Sequence, residues 1–196
     1  MAFPWYEFDA SARPSTGGSE SKLTSTMDFG GGEMAASSPA GKETSNFDWD
    51  EYEKDNLPPV YQVSQWMIII GIIFSIVAIA LIPVVWYGKL RVPVVLVMLG
   101  LALTFGVIAL AYFAVAHPIA LDKDEAMSTM PYVGSALKDK PGPWTSFIGT
   151  DSGSVGSGSS AMNYKTTWYP QAGWWLTLVA VILCAAALVV CRSNLG

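Results

Sequence analysis

The chain has 196 residues, of which 52% are apolar and only 14% are charged, and its formal net charge is −5. Typical soluble domains carry about 25% charged residues, so the composition is atypical of a soluble fold. The length leaves no room for an enzyme domain beside a membrane domain. The acidic balance disfavours nucleic acid as a partner, because phosphates bind to basic surfaces.

Residues 1–61 are predicted to form an extended N-terminal tail of low order. Glycine, serine and threonine are concentrated in patches such as 15–19 and 30–32, and such segments bury too little apolar surface to offset the entropy of ordering. Two aromatic and acidic islands interrupt the tail. They indicate either contact with the membrane interface or docking onto a neighbouring subunit. The candidate docking residues in the tail are Phe3, Trp5, Tyr6, Phe8, Phe47, Trp49 and Tyr52.

Pro58 to Tyr61 have the Pro-Pro-x-Tyr pattern that WW domains bind as a polyproline helix. Four residues are a weak signal, and they adjoin the first apolar run, where a docking domain would be crowded by the membrane. We therefore interpret the motif as a rigid entry turn before the first helix, with WW binding as the minor alternative.

Residues 62–118 are predicted to form a transmembrane hairpin of two helices, 62–87 and 92–117. No charged residue occurs from Trp66 to Gly88 or from Val92 to Ala116. Each run exceeds the roughly 20 apolar residues that cross a hydrocarbon core about 30 Å thick. The few residues between the runs allow only a tight turn at one membrane face.

Residues 119–172 are predicted to form a polar Gly/Ser-rich loop of about 50 residues between the second and third helices. The charges at 122–125 are interpreted as a cluster in water, and the stretch 149–160 as flexible. The candidate docking residues of this loop are Trp144, Phe147 and Trp168.

A third transmembrane helix is predicted over 173–192, because no charge occurs from Gly173 to Cys191. All three helices carry small residues four positions apart, which allow close approach of another helix. The candidate helix-packing residues are Gly71, Ser75, Ala102, Gly106, Ala180 and Cys184. The fold class predicted from these segments is an all-α integral membrane protein with three transmembrane helices, a long irregular N-terminal tail and one long polar loop.

His117 is the only histidine of the chain, and it is expected at the end of the second helix. A lone histidine there is most simply an interfacial residue. The alternative is an axial ligand to haem or chlorophyll, which makes His117 the one candidate cofactor-binding residue. No cofactor is otherwise predicted, although bound lipid is expected.

The basic residues near the helix ends predict the orientation. Lys89, Arg91 and Arg192 lie in short segments without acids, and such segments remain in the cytoplasm under the positive-inside rule. The C-terminus is therefore predicted to be cytoplasmic, and the N-terminus and the loop 119–172 extracytoplasmic.

The arrangement is loosely similar to claudin-like tetraspan proteins, in which an aromatic extracellular loop lies between membrane spans. It departs from them in having three spans, no cysteine pair in a loop and no Trp-Gly-Leu-Trp motif. The sequence alone therefore assigns no family.

Chemistry-bearing residues are missing where an enzyme or transporter would need them. No Asp, Glu, Lys or Arg lies within the apolar runs, and no His/Cys/acid cluster has metal-ligand spacing. The sequence predicts no catalytic residue and no metal site. It favours a non-catalytic accessory subunit of a larger integral membrane complex, with other membrane subunits and the bilayer as partners. The alternatives are a free-standing surface protein whose loop 119–172 binds an extracellular partner, and a pigment- or haem-binding subunit that uses His117.

Overall fold

The computed structural model describes residues 4–50, 56–88, 91–124, 142–143, 145–156 and 161–195. These residues form six strands and three long helices. In chain order the elements are β1 (Tyr6–Pro14), β2 (Ser21–Met27), β3 (Gly31–Ser38), β4 (Gly41–Asp48), α1 (Leu57–Trp86), α2 (Val92–Lys123), β5 (Gly149–Val155), β6 (Met162–Pro170) and α3 (Ala172–Leu195).

The six strands form one antiparallel sheet with the order β4-β3-β2-β1-β6-β5. The predicted all-α class is therefore wrong, and so is the irregular tail, because β1 to β4 lie in it. Within the predicted polar loop 119–172, β5 and β6 are strands. The described fold is mixed α/β, with three apolar helices beside the sheet strands in the chain. The chain divides into two compact units. We call Met1–Tyr61 with Ala114–Trp174 the sheet unit, and Gln62–Phe113 with Trp175–Gly196 the helix unit.

β1 and β6 are neighbouring interior strands of the sheet, and their side chains alternate in polarity. Tyr6, Phe8 and Ala10 are buried, while the residues between them are only partly buried. β6 repeats this pattern with Tyr164 and Trp168. Successive side chains of a strand point to opposite faces, so the alternation gives the sheet one apolar face.

The outer strands are rich in glycine and serine, and their pairing with larger residues explains their composition. Gly149 of β5 lies opposite Trp168, and a Cβ atom at Gly149 would lie 2.4 Å from the indole ring. Gly31 of β3 lies opposite Asp48, and a Cβ atom at Gly31 would lie 2.0 Å from the Phe47 carbonyl oxygen. Glycine at these positions allows backbone and ring to approach closely.

The pairing of β1 with β6 joins two segments that are far apart in the chain. Tyr6 lies opposite Pro170, and Pro14 lies opposite Met162. The hairpin of α1 and α2 lies between these segments.

The prediction of three apolar helices is confirmed, since within the described residues three helices are long and apolar enough to cross a membrane. α1 begins at Leu57 rather than at residue 62, because Pro58 and Pro59 fit the first turn, where their missing N–H groups are not needed. α2 continues past the predicted end at 117 and contains Pro118. Gly88 follows α1 with φ 70° and donates its N–H to the Val85 carbonyl, a left-handed helix end that glycine adopts without strain.

Candidate functional site

An aromatic cluster in the sheet unit, buried at Tyr6, Tyr61 and His117, surrounds the one histidine of the chain. We define the aromatic cluster as Tyr6, Tyr61, His117, Phe147 and Trp174. The ring centroids of Tyr6 and His117 are 4.0 Å apart, and those of Phe147 and Trp174 are 5.6 Å apart. The Tyr61 hydroxyl lies 3.2 Å from His117 Nε2. The Tyr6 hydroxyl donates to the Phe147 carbonyl at 3.0 Å.

Contacts within the aromatic cluster join β1 and the start of α1 to the last part of α2. His117 is fully buried, and its ring also contacts those of Tyr61 and Phe147, with centroid separations of 5.7 and 6.5 Å. Burial raises the pKa of the Tyr6 phenol, so Tyr6 remains a neutral hydrogen-bond donor. The aromatic cluster is therefore a packed core with polar contacts inside it.

His117 is surrounded by side chains of its own chain. Ligation of haem or chlorophyll requires an imidazole nitrogen facing open space for the macrocycle. Nε2 of His117 instead contacts the Tyr61 hydroxyl, and aromatic rings pack around the imidazole. This geometry favours a structural role for His117, and no cofactor enters the proposed function below.

Asp124 caps the start of α1 from the end of α2. Its carboxylate accepts hydrogen bonds from the backbone N–H groups of Asn56 and Leu57 at 3.0 and 2.8 Å, and from the Asn56 side-chain amide at 2.6 Å. The prediction that 122–125 lie in water is wrong for Asp124, which is 3% exposed. A carboxylate at a helix N-terminus satisfies orphan donors and interacts favourably with the helix dipole.

A second polar group lies on the less buried face of the sheet. Glu7 accepts a hydrogen bond from the Tyr169 hydroxyl at 2.9 Å and another from the Gln171 side-chain amide. Burial raises the pKa of the Glu7 carboxyl, and the hydrogen bond from Tyr169 opposes that rise. Burial and the bond to Glu7 also raise the pKa of the Tyr169 phenol.

Most of the aromatic residues predicted to dock on partners lie in the core of the sheet unit. Trp5, Tyr6, Phe8, Trp49 and Trp168 are buried, and Phe47 and Phe147 are partly buried. Their contacts are with this chain: the Trp5 and Phe29 rings, for example, are 4.5 Å apart. The remaining candidates Phe3, Tyr52 and Trp144 lie outside the described residues.

The small residues of the helix unit lie at contacts between helices of the same chain. A Cβ atom at Gly71 would lie 3.4 Å from the Ala102 carbonyl oxygen and 3.8 Å from the Gly106 nitrogen. The Ser75 hydroxyl lies 3.7 Å from Cys184 Sγ. Ala180 does not share this role, because it is exposed.

The Pro-Pro-x-Tyr motif is part of the folded core. Pro58 and Pro59 lie in the first turn of α1, and Tyr61 is fully buried. The helical turn differs from the polyproline conformation that WW domains bind.

The sheet has an open edge at β4. Within the described residues β4 pairs only with β3, and every residue from Gly41 to Asn46 is exposed. One end of β4 adjoins an open pocket of about 530 Å³, whose lining includes Asp28, Glu33 and Asp48. An unpaired strand presents backbone donors and acceptors to another chain. This edge could not be predicted from the sequence, because β4 has no alternating pattern of apolar residues.

The searched part of the chain holds no group of three or more His, Cys, Asp or Glu side chains placed to bind a metal ion. No protein family model, no curated protein and no solved structure matches this chain.

Proposed function

We propose that this chain is a non-catalytic subunit of a larger membrane assembly, and that its partner binds along the β4 edge of the sheet unit. The observation that carries the proposal is the exposure of β4, whose backbone pairs on one side only within the described residues. Addition of a strand to such an edge is a common mode of protein recognition.

The contacts of the other predicted surfaces support placing the partner at β4. Gly71, Ser75 and Cys184 contact other helices of the chain, and most of the aromatic docking residues in the described part lie in the chain's own core. Among the described residues, the two edge strands β4 and β5 each have one unpaired side, and the acidic pocket adjoins β4 rather than β5. Carboxylates at Glu33 and Asp48 favour a partner strand that carries basic residues at the matching end.

The proposed orientation follows from the basic residues at the short turn and at the end of α3. Arg91 and Arg192 are exposed, and their segments contain no acid. The positive-inside rule then assigns these basic segments to the cytoplasm, and the N-terminal segment and residues 119–172 to the extracytoplasmic side. A partner at β4 is accordingly an extracytoplasmic domain or loop.

The alternative function is that of a free-standing surface protein that binds an extracellular ligand. The sheet favours it in one respect, since the segment 149–170 contributes β5 and β6 to a folded unit. In that case the protein would be extracted from its membrane as a monomer and would acquire its partner only from outside.

Site-specific photo-cross-linking tests the proposal. A benzoylphenylalanine probe at Ser45 on β4 should yield a cross-linked membrane protein, whereas the same probe at Ser152 on β5, the opposite edge, should not. Ser45→Lys should also lower recovery of the complex on native gels after extraction in mild detergent, because a charge blunts a strand edge. A monomer on the gel together with no adduct at Ser45 would refute the proposal, and an adduct only with a soluble ligand would favour the alternative.

A further inference from the structure

An apolar groove lies at the end of the helix unit where α1 ends and α2 begins. Its volume is about 450 Å³, within the range of roughly 300–1,000 Å³ typical of ligand sites. The lining residues come from all three helices and carry no charge: Ile82, Val85, Trp86, Val92, Val95 and Cys191.

Two arginines adjoin the residues that line this groove. Arg91 directly precedes Val92, and Arg192 directly follows Cys191. Both arginines are exposed, and among the described residues neither forms an ion pair. The sequence contains no acid from 82 to 95 or from 191 to 196. The groove is therefore apolar inside and positively charged beside its lining.

We propose that this groove binds an anionic phospholipid, with the phosphate at Arg91 and Arg192 and one acyl chain against the apolar lining. Guanidinium groups bind phosphate oxygens in pairs of parallel hydrogen bonds. The α1 part of the groove, from Ile82 to Trp86, spans about 6 Å of helix. It therefore receives the part of the acyl chain next to the glycerol, and the rest of the chain lies in the bilayer.

The position of Trp86 agrees with such a ligand. Its side chain is largely exposed, and tryptophan at a helix end lies at the level of the lipid headgroups. The proposed orientation places this end in the cytoplasmic leaflet, where anionic lipids are concentrated. The inference rests on the helix unit alone, so it holds whichever protein binds the sheet unit.

Native mass spectrometry of the full chain, purified in mild detergent and titrated with defined lipids, tests this inference. Phosphatidylglycerol should bind on the order of 20-fold more tightly than phosphatidylcholine, since each arginine near anionic lipid contributes roughly fivefold. In the double variant Arg91→Gln/Arg192→Gln the two lipids should bind equally. Lys165→Gln on β6, which removes one positive charge from the sheet unit, is the control for each single variant, Arg91→Gln and Arg192→Gln, and should keep the full preference, whereas each single variant should lose part of it. Equal binding of both lipids to the wild type, or an undiminished preference in the double variant, would overturn the inference.

A second pair of variants tests the groove itself. Ile82→Trp fills the groove from an exposed position, and Ile79→Trp adds the same bulk at an exposed position that does not line it. The first variant should bind phosphatidylglycerol at least tenfold more weakly than the second. Equal binding by the two would show that no acyl chain occupies the groove. Displacement of the lipid by equimolar soluble glycerol phosphate would instead identify a site for free phosphate, contrary to the inference.

Discussion

Tryptophan occurs in both units of the molecule, and its surroundings differ between them. In the sheet unit Trp168 is 2% exposed, and its indole N–H donates to the Ser146 carbonyl at 3.0 Å. In the helix unit Trp86 is 87% exposed. The first residue is stabilised by contacts within the chain. The second lies where a bilayer interface would surround it.

The same contrast holds for the aliphatic residues. Ala78, Val95 and Leu99 form a small buried core in the helix unit, whereas Ile76 and Ile79 are largely exposed. Lipid is as apolar as leucine, so no hydrophobic force drives these helices together, and close packing of small residues takes its place. Large side chains therefore stabilise the sheet unit, and small side chains stabilise the helix unit.

Truncation of tryptophan gives the largest expected difference between the two units. Trp168→Ala should lower the free energy of unfolding of the sheet unit by about 3–5 kcal/mol, because it empties a buried site. Trp86→Ala should leave thermal unfolding in detergent nearly unchanged. Near-ultraviolet circular dichroism during heating measures both variants. Equal losses in the two would contradict the contrast.

Removal of the interhelix cap should have the next largest effect. Asp124→Ala leaves two backbone N–H groups at Asn56 and Leu57 without their acceptor, which should cost about 1–3 kcal/mol. Hydrogen exchange at the first turn of α1 should rise in this variant. Asp122→Ala, a change at an exposed aspartate in the same turn, is the control. If the two variants exchange alike, the cap does not stabilise the helix start.

Two glycines of α2 test whether close packing stabilises the helix unit. A Cβ atom at Gly106 would lie 2.6 Å from Val181 Cγ2, while a Cβ atom at Gly100 would meet nothing within 4 Å. Gly106→Ala should destabilise the unit by about 1–2 kcal/mol through overpacking. Gly100→Ala should be neutral or stabilising by up to about 1 kcal/mol, from helix propensity. Unfolding in mixed detergent micelles measures both, and a stabilised Gly106→Ala variant would refute this view of α2.

The smallest expected effect is a pH dependence confined to the sheet unit. Burial raises the pKa of Glu7 above its ordinary value of 4.5, so the folded state binds this proton more tightly than the unfolded state. The stability that the proton provides is present at low pH and is lost as the pH rises through the folded pKa.

Glu7→Gln cannot titrate, so its melting temperature should rise relative to wild type as the pH increases above 4.5, the ordinary pKa of the carboxyl. The shift should correspond to only a few tenths of a kcal/mol, because Glu7 is partly exposed. Glu20→Gln, an exposed glutamate between β1 and β2, is the matched control for the lost charge. A relative shift that does not change with pH would contradict the assignment.

The helices could be predicted from the sequence because an uncharged run of sufficient length has no other stable location than a membrane. The ends of the helices could not be predicted in this way. Pro58 and Pro118 suggest helix boundaries, but both prolines lie inside helices that contacts with other parts of the chain stabilise. The first turn of α1 is held by Asp124, and the last part of α2 is held by burial of Ala120 and Leu121. The hydrogen bond of Asp124 joins residues more than 60 positions apart, and the burial of Ala120 and Leu121 requires the folded sheet unit.

The sheet was only partly visible in the sequence. The alternation from Tyr6 to Ala12 is typical of a strand, but the glycine and serine in the neighbouring segments favoured the prediction of a tail of low order. β4 and β5 carry no such signal, because glycines such as Gly149 are placed to receive an aromatic ring from the next strand. Aromatic residues in polar segments predicted docking surfaces, but Trp5 and Trp168 are buried in the core of their own chain.

The pairing of β1 with β6 limits when the sheet can form during synthesis of the chain. The side chains of Glu7 and Gln171 meet across 164 positions of sequence. At a synthesis rate of roughly 5–20 residues per second, β1 waits on the order of ten to thirty seconds for β6 to emerge. During that interval α1 and α2 must already have entered the bilayer, while β1 presents a bare edge to its surroundings. A chaperone that shields a strand on that side of the membrane would raise the yield of native protein.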